Sequence, residues 1–143
     1  MTFSEFNYIG VIVAFFVSFI SGAIWFGPKT FYPAWQKAMG RNPDEVNGSE
    51  LPMGALFGST FVASLVQVFT LAVVIELAIK ADPSFGLAQG ALTGFLVSLG
   101  LVAASSLSHR LFAHKKAFTV WIIEVSADVV ALTIAGVILA VWQ

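Results

Sequence analysis

Four apolar runs divide this chain, at about 7–26, 55–79, 85–107 and 118–142, and they decide most of what it can fold into. Each reaches the length of about 20 residues that carries a helix across roughly 30 Å of hydrocarbon. A backbone in lipid must satisfy its own polar groups, so such runs form helices or a closed barrel. These runs are continuous rather than alternating, which excludes the barrel pattern. Only 10% of residues are charged, against about 25% in soluble domains, and 58% are hydrophobic. The expected fold is all-α: an integral membrane four-helix bundle running up-down-up-down, with one transmembrane domain over 1–143.

The connections differ in kind. Gly27-Pro28 stops the first run, and Lys80-Ala81-Asp82-Pro83-Ser84 is a tight turn between the second and third. Residues 108–117 link the third and fourth. The long connection, 28–54, contains a helix signal of its own, with Pro33 at its start and Gly40 at its stop. Phe31, Trp35 and Met39 recur every four residues and, with Tyr32, make an aromatic face, while Lys29 and Lys37 stay in water. A short interfacial helix after the first span is expected, and a lateral gate or lipid-sensing helix is the functional alternative. Residues 41–52 read as a polar linker. Within it, Asn47-Gly48-Ser49 matches a glycosylation sequon on the side where it would go unused.

Orientation follows from lysine and arginine. Lys29, Lys37 and Arg41 lie in the first connection and Arg110, Lys115 and Lys116 in the third, six of the seven basic residues. Lys80 alone lies opposite. The positive-inside rule places the two basic loops in the cytoplasm and both termini outside, as in a bacterial inner membrane protein. Upstream of Tyr8 the only charge is Glu5, and Tyr8 to Phe26 is long for a signal-peptide core, so an uncleaved helix is expected.

Several function classes fall away. A net charge of −1 gives no footprint for nucleic acid. Without cysteine there are no disulfides, thiol nucleophiles or thiolate metal sites. His109 and His114 are five apart, which does not match the i, i+4 spacing of a helical zinc site, and interfacial or solvated histidines are expected. Ser105, Ser106 and Ser108 near His109 give no triad geometry. The chain reads as a non-enzyme without cofactor or metal.

Small residues recur at four-residue spacing, which in lipid lets helix backbones approach closely. Ala14, Ser18 and Gly22 line the first helix, Gly54 and Gly58 open the second, and Gly86, Gly90, Gly94 and Ser98 run along the third. Ala127, Ala131 and Ala135 follow on the fourth. Gly22, Gly58, Gly86, Gly90 and Gly94 are therefore the candidate packing glycines. Four short helices leave much lateral surface, and a homo-oligomer in the lipid bilayer is expected.

The costly residues are Glu124 and Asp128, four apart on one face of the last apolar run. A carboxyl group at the bilayer centre costs about 2.5–3.5 kcal/mol on insertion scales, so such groups are functional candidates. Counting helical rise from Phe118, Asp128 lies about 15 Å in and Glu124 about 9 Å in. Gln67 on the second span reaches about 18 Å, close to the level of Asp128. Thr60, Ser64, Ser105 and Ser106 reach the level of Glu124, and Arg110 is near enough to dip toward it. Two chemistries fit. The acids can carry protons or cations in a small transporter or channel-like protein. Alternatively they are structural, with Asp128–Gln67 and Glu124–Arg110 as ties across a helix or subunit contact. The substrate or ion is not legible.

The segment Gly22-Ala23-Ile24-Trp25-Phe26-Gly27-Pro28, followed by Phe31, Trp35 and Gly40, resembles the bacterial membrane family catalogued as domain of unknown function 1761. Gly90, Gly94, Leu99-Gly100, Gly136 and Trp142 fit the same pattern over nearly the whole chain. The resemblance implies four helices and no assigned activity. Family members often place an aromatic residue and a histidine midway along the last helix, where this chain has Glu124-Val125-Ser126-Ala127-Asp128. Trp25, Trp35 and Trp121 fall at one membrane boundary and Trp142 at the other, as an aromatic belt would place them.

Overall fold

The computed structural model describes residues 6–41, 51–113 and 117–142. It contains helices α1 (Tyr8–Trp25), α2 (Tyr32–Met39), α3 (Met53–Ala81), α4 (Leu87–Val97), α5 (Ala104–Ala113) and α6 (Ala117–Val141). A six-residue π-helical segment, Ser98–Ala103, joins α4 to α5 without a break. Among the described residues there is no strand. Four helical stretches are long and apolar enough to cross a membrane: Tyr8–Trp25, Met53–Ala81, Leu87–Phe112 and Ala117–Val141. Met1 to Glu5, the sequon at 47–49, most of the 41–52 linker, His114, Lys115 and Lys116 lie outside the described residues.

Helix ends are closed by local chemistry. The Asn7 side chain accepts from the Gly10 amide at 3.0 Å and caps α1. At the other end, the Thr30 hydroxyl donates to the Trp25 carbonyl at 2.7 Å, occupying one of the last carbonyls that lack a helical partner. Helix α2 carries Pro33 in its first turn and ends at Gly40, whose φ of 70° is left-handed and suits a residue without Cβ. The turn after α3 is closed by Asp82, which accepts from the amide and hydroxyl of Ser84 at 2.9 and 2.7 Å.

The third span is longer than its apolar run. The sequence ends it near Leu107, but helix continues to Ala113. The serines there do not break it, because they turn back on their own helix: Ser106 donates to the Ala103 carbonyl and Ser105 to that of Leu101.

Helices α1 and α6 run antiparallel along their whole length. Asn7 donates to the Trp142 carbonyl at 3.2 Å, Ser18 to that of Ala131 at 3.0 Å, and the Trp25 indole to that of Ile123 at 3.0 Å. The apolar core sits toward the Asn7–Trp142 end, where Val11, Ala14 and Phe15 meet Val68, Leu71, Ala72 and Ile75 of α3 and Leu132, Ala135 and Leu139 of α6. The first half of α3 contributes little to it, and Phe57, Val62 and Val66 are exposed.

The tightest contact is between α4 and α6. A Cβ added at Gly90 would collide with the Gly136 carbonyl and the Ala140 side chain. One at Gly94 would collide with the Leu132 carbonyl, and one at Gly136 with the Gly90 carbonyl. Two backbones meet here with nothing between them, the close approach that favours association in lipid. The other glycines in the expected rows behave differently. Gly86 stands at the start of α4, where its amide donates to the Gln89 side chain at 3.1 Å. At Gly22, Gly54 and Gly58 an added Cβ would meet nothing within 4 Å. Spacing alone finds the small residues but not the faces that have neighbours.

Candidate functional site

The two carboxylates of α6, one turn apart, meet opposite fates. Glu124 is fully engaged. Arg110 of α5 approaches it side-on, Nε 2.7 Å from Oε2 and Nη2 2.9 Å from Oε1. This is the bidentate geometry that suits a guanidinium and a carboxylate. Trp35 of α2 adds a third donor, its indole N–H lying 3.0 Å from Oε1. One carboxylate thus joins α2, α5 and α6. Trp35 is held in turn: the Arg41 guanidinium lies 4.9 Å from its ring centre, Tyr32 stacks at 5.9 Å and Phe26 meets it edge-on at 6.0 Å.

Asp128 has no hydrogen bond or ion pair among the described residues. It lines a cavity of about 280 Å³ between α1, α3 and α6. The walls are largely apolar, with Phe19, Phe26, Phe57, Val68 and Leu132 among them. The polar groups are few: Ser18, Thr60, Ser64, Gln67 and the carboxyl itself. Ser18 and Thr60 already spend their hydroxyls on the Ala131 and Leu56 carbonyls. Gln67 and Ser64 make no hydrogen bond among the described residues. The cavity contains no basic side chain, so the carboxyl has no counter-ion there. It exists because the first half of α3 stands away from α1 and α6 while its second half packs.

The site residues expected from the sequence are therefore distributed as follows. Gln67 and Asp128 line one cavity, as their similar depth implies, but the expected tie between them is not formed. Arg110 and Glu124 are paired. Ser106 lies near that level but serves Trp121 instead.

Residues 9–140 match the family described as Protein of unknown function (DUF1761). The chain belongs to this family. No curated protein and no solved structure matches it. The match takes in all four apolar stretches and both carboxylates of α6, so the two environments lie inside the family's own region.

The tryptophans of this DUF1761 chain do more than mark a boundary. Trp25, Trp35 and Trp121 each direct the indole N–H into the protein. The Trp25 ring also stacks on Phe31 at 4.2 Å, which closes the first helix onto the start of the long connection. Trp121 donates to the Ala103 carbonyl at 3.1 Å and to the Ser106 hydroxyl at 3.2 Å, just where the π-helical segment gives way to α5. Sequence does not show these roles, because an indole in an aromatic row reads as an anchor and no spacing rule names its acceptor. The signal available for Trp35 was its i, i+4 placement with Phe31 and Met39, which gave the face but not the carboxylate beneath it. Among the described residues no three metal-ligating side chains cluster, and His109 is exposed.

Proposed function

We propose that this protein is a small multi-pass transporter or channel-like protein in which Asp128 is the intramembrane group that takes up a proton or cation. The observation that carries this reading is a carboxyl group without a partner among the described residues, at a cavity between three apolar helices. A carboxyl placed so pays the cost of desolvation, and that cost is recovered when a proton or cation arrives. Glu124 then serves the scaffold, because Arg110 and Trp35 already occupy its oxygens.

The wider setting of the proposal is a single transmembrane domain, up-down-up-down, in a bacterial inner membrane with both termini outside. Lys29, Lys37, Arg41 and Arg110 support that orientation by the positive-inside rule. A homo-oligomer belongs to the same reading, with Gly54 and Gly58 of α3 open to a neighbouring helix. On this reading the protein is not an enzyme, and α2 is an interfacial helix latched through Trp35.

A second reading rests on the Glu124 cluster: a non-catalytic accessory protein whose acids hold helices or subunits together. Flux through the purified protein in liposomes, driven by an imposed potential, separates the two. Transport predicts proton or alkali-cation flux that Asp128→Asn abolishes and Glu124→Gln lowers only as far as it lowers folded protein. Absence of flux in the unmodified protein would exclude the transport reading.

A further inference from the structure

The shape and chemistry of the Asp128 cavity name a class of ligand. Its volume of about 280 Å³ lies at the lower edge of the roughly 300–1,000 Å³ of sites for drug-sized molecules, so it suits a compact one-ring or two-ring molecule rather than a bare ion. Three phenyl side chains, Phe19, Phe26 and Phe57, share the walls with a single anionic group. Aromatic faces attract a diffuse organic cation, and a carboxylate with no basic neighbour supplies the opposite charge. An inorganic cation stripped of its water would want several oxygen ligands. Beside the carboxyl, the cavity offers only the Gln67 amide and three hydroxyls, two of which are already spent on backbone carbonyls.

The way in is also visible. Gly22 and Ala23 of α1 and Phe57 of α3 line the cavity and also reach the molecular surface, Phe57 being 62% exposed. An added Cβ at Gly22 would meet nothing within 4 Å, so the mouth lies between α1 and α3. Both helices are long and apolar enough to cross a membrane, and the mouth lies about one turn from Trp25, at the level where hydrocarbon meets the headgroups.

We propose that the cleft between α1, α3 and α6 binds a lipophilic organic cation drawn from the bilayer, its ring among Phe19, Phe26 and Phe57 and its charge on Asp128. This rests on the reading of Asp128 as a cation-binding group and adds the kind of cation.

The test is equilibrium binding to the purified full-length protein in lipid nanodiscs, with no flux required. Benzyltrimethylammonium is the probe. Neopentylbenzene has the same shape without charge, and tetramethylammonium has the charge without the ring. Saturable binding of the probe is expected, at least tenfold tighter than either control and at least tenfold weakened by Asp128→Asn. Equal binding of the neutral isostere, equal binding of tetramethylammonium, or no saturable binding of the probe would each overturn the proposal. So would full affinity in the Asn variant. The comparison of the three probes needs only the unmodified protein, so it stands even if the variant folds poorly. Proton or alkali-cation flux without probe binding would remove the ligand class and leave the transport reading. Probe binding without flux would do the reverse.

Discussion

Trp35 donates its indole N–H to Glu124 across 89 positions of sequence, and this bond fastens α2 to α6. Phe26 packs on the same indole from the end of α1, and Arg110 of α5 supplies two further donors to the same carboxylate. Trp35→Phe removes the N–H and, with it, part of the ring that Phe26, Tyr32 and Arg41 pack against. A hydrogen bond to a charged group contributes about 1.5–3 kcal/mol, and partial exposure of Glu124 places this one at the lower end. The expected result is a loss of about 1.5 kcal/mol and faster hydrogen exchange confined to α2. Unchanged exchange in residues 32–39 would show that the bond does not hold the helix.

The Arg110–Glu124 pair should resist conservative replacement. Lysine keeps the charge but cannot present two parallel donors. Arg110→Lys should therefore destabilise the protein by about 1 kcal/mol, and Arg110→Met by about 2 kcal/mol, since it also leaves a carboxylate short of a partner. A double-mutant cycle with Glu124→Gln, read by thermal unfolding in detergent, should recover most of the Arg110→Met loss. Simple additivity would mean that the two side chains do not interact.

The glycines divide sharply by position. Gly94→Leu places a side chain against the Leu132 backbone, and overpacking of that kind costs about 1–3 kcal/mol, often more where backbone must move. Gly58→Ala meets open space and removes a flexible residue from a helix interior, so it should be neutral or stabilising by up to about 1 kcal/mol. Both positions hold glycine in a row of four-residue spacing, and making the same change, to alanine and to leucine, at each and comparing unfolding temperatures tests the seam directly. Equal losses at both sites would contradict the packing described.

Much of this was legible beforehand, for reasons particular residues make plain. The four spans follow from hydrocarbon thickness, and Arg110–Glu124 follows from a basic residue one loop away from an acid. The helix in the long connection announced itself through Pro33 and Gly40. What spacing could not supply was azimuth, the direction in which each helix face turns. Gly58 and Gly94 both sit in apolar helices, yet one faces open space and the other a backbone. Asp128 and Glu124 share a face by periodicity, yet a few tens of degrees separate a cavity from an arginine.

Asp128→Asn should leave stability unchanged or raise it slightly, because among the described residues no group bonds that carboxylate and the variant no longer pays to desolvate a charge. A loss above about 2 kcal/mol would mean that Asp128 holds a contact after all.

Acid stability should register the turn after α3. The hydroxyl and amide of Ser84 hold the Asp82 carboxyl below its usual value. A carboxyl whose pKa is depressed by folding stabilises above its unfolded value and loses that contribution as pH falls through the folded one. Asp82→Asn should flatten stability against pH below about pH 4 and leave the neutral range almost unaltered. An unchanged acid limb would show that this turn does not contribute to it.

The π-helical segment has one more consequence. A turn with i→i+5 bonding accommodates an extra residue, and each residue in a helix carries the chain round by about 100°. Ser98–Ala103 therefore sets the phase between the two halves of a span: Gly90 and Gly94 point at α6 above it, and Arg110 points at Glu124 below it. Forcing Ser98–Ala103 into regular α-helix with every residue kept would turn the arginine about 100° away from its carboxylate, whereas removing one residue at the same time, such as Gly100, would restore the phase. The span works as two registers joined by one wide turn, so the form of that turn is as constrained as the composition around it.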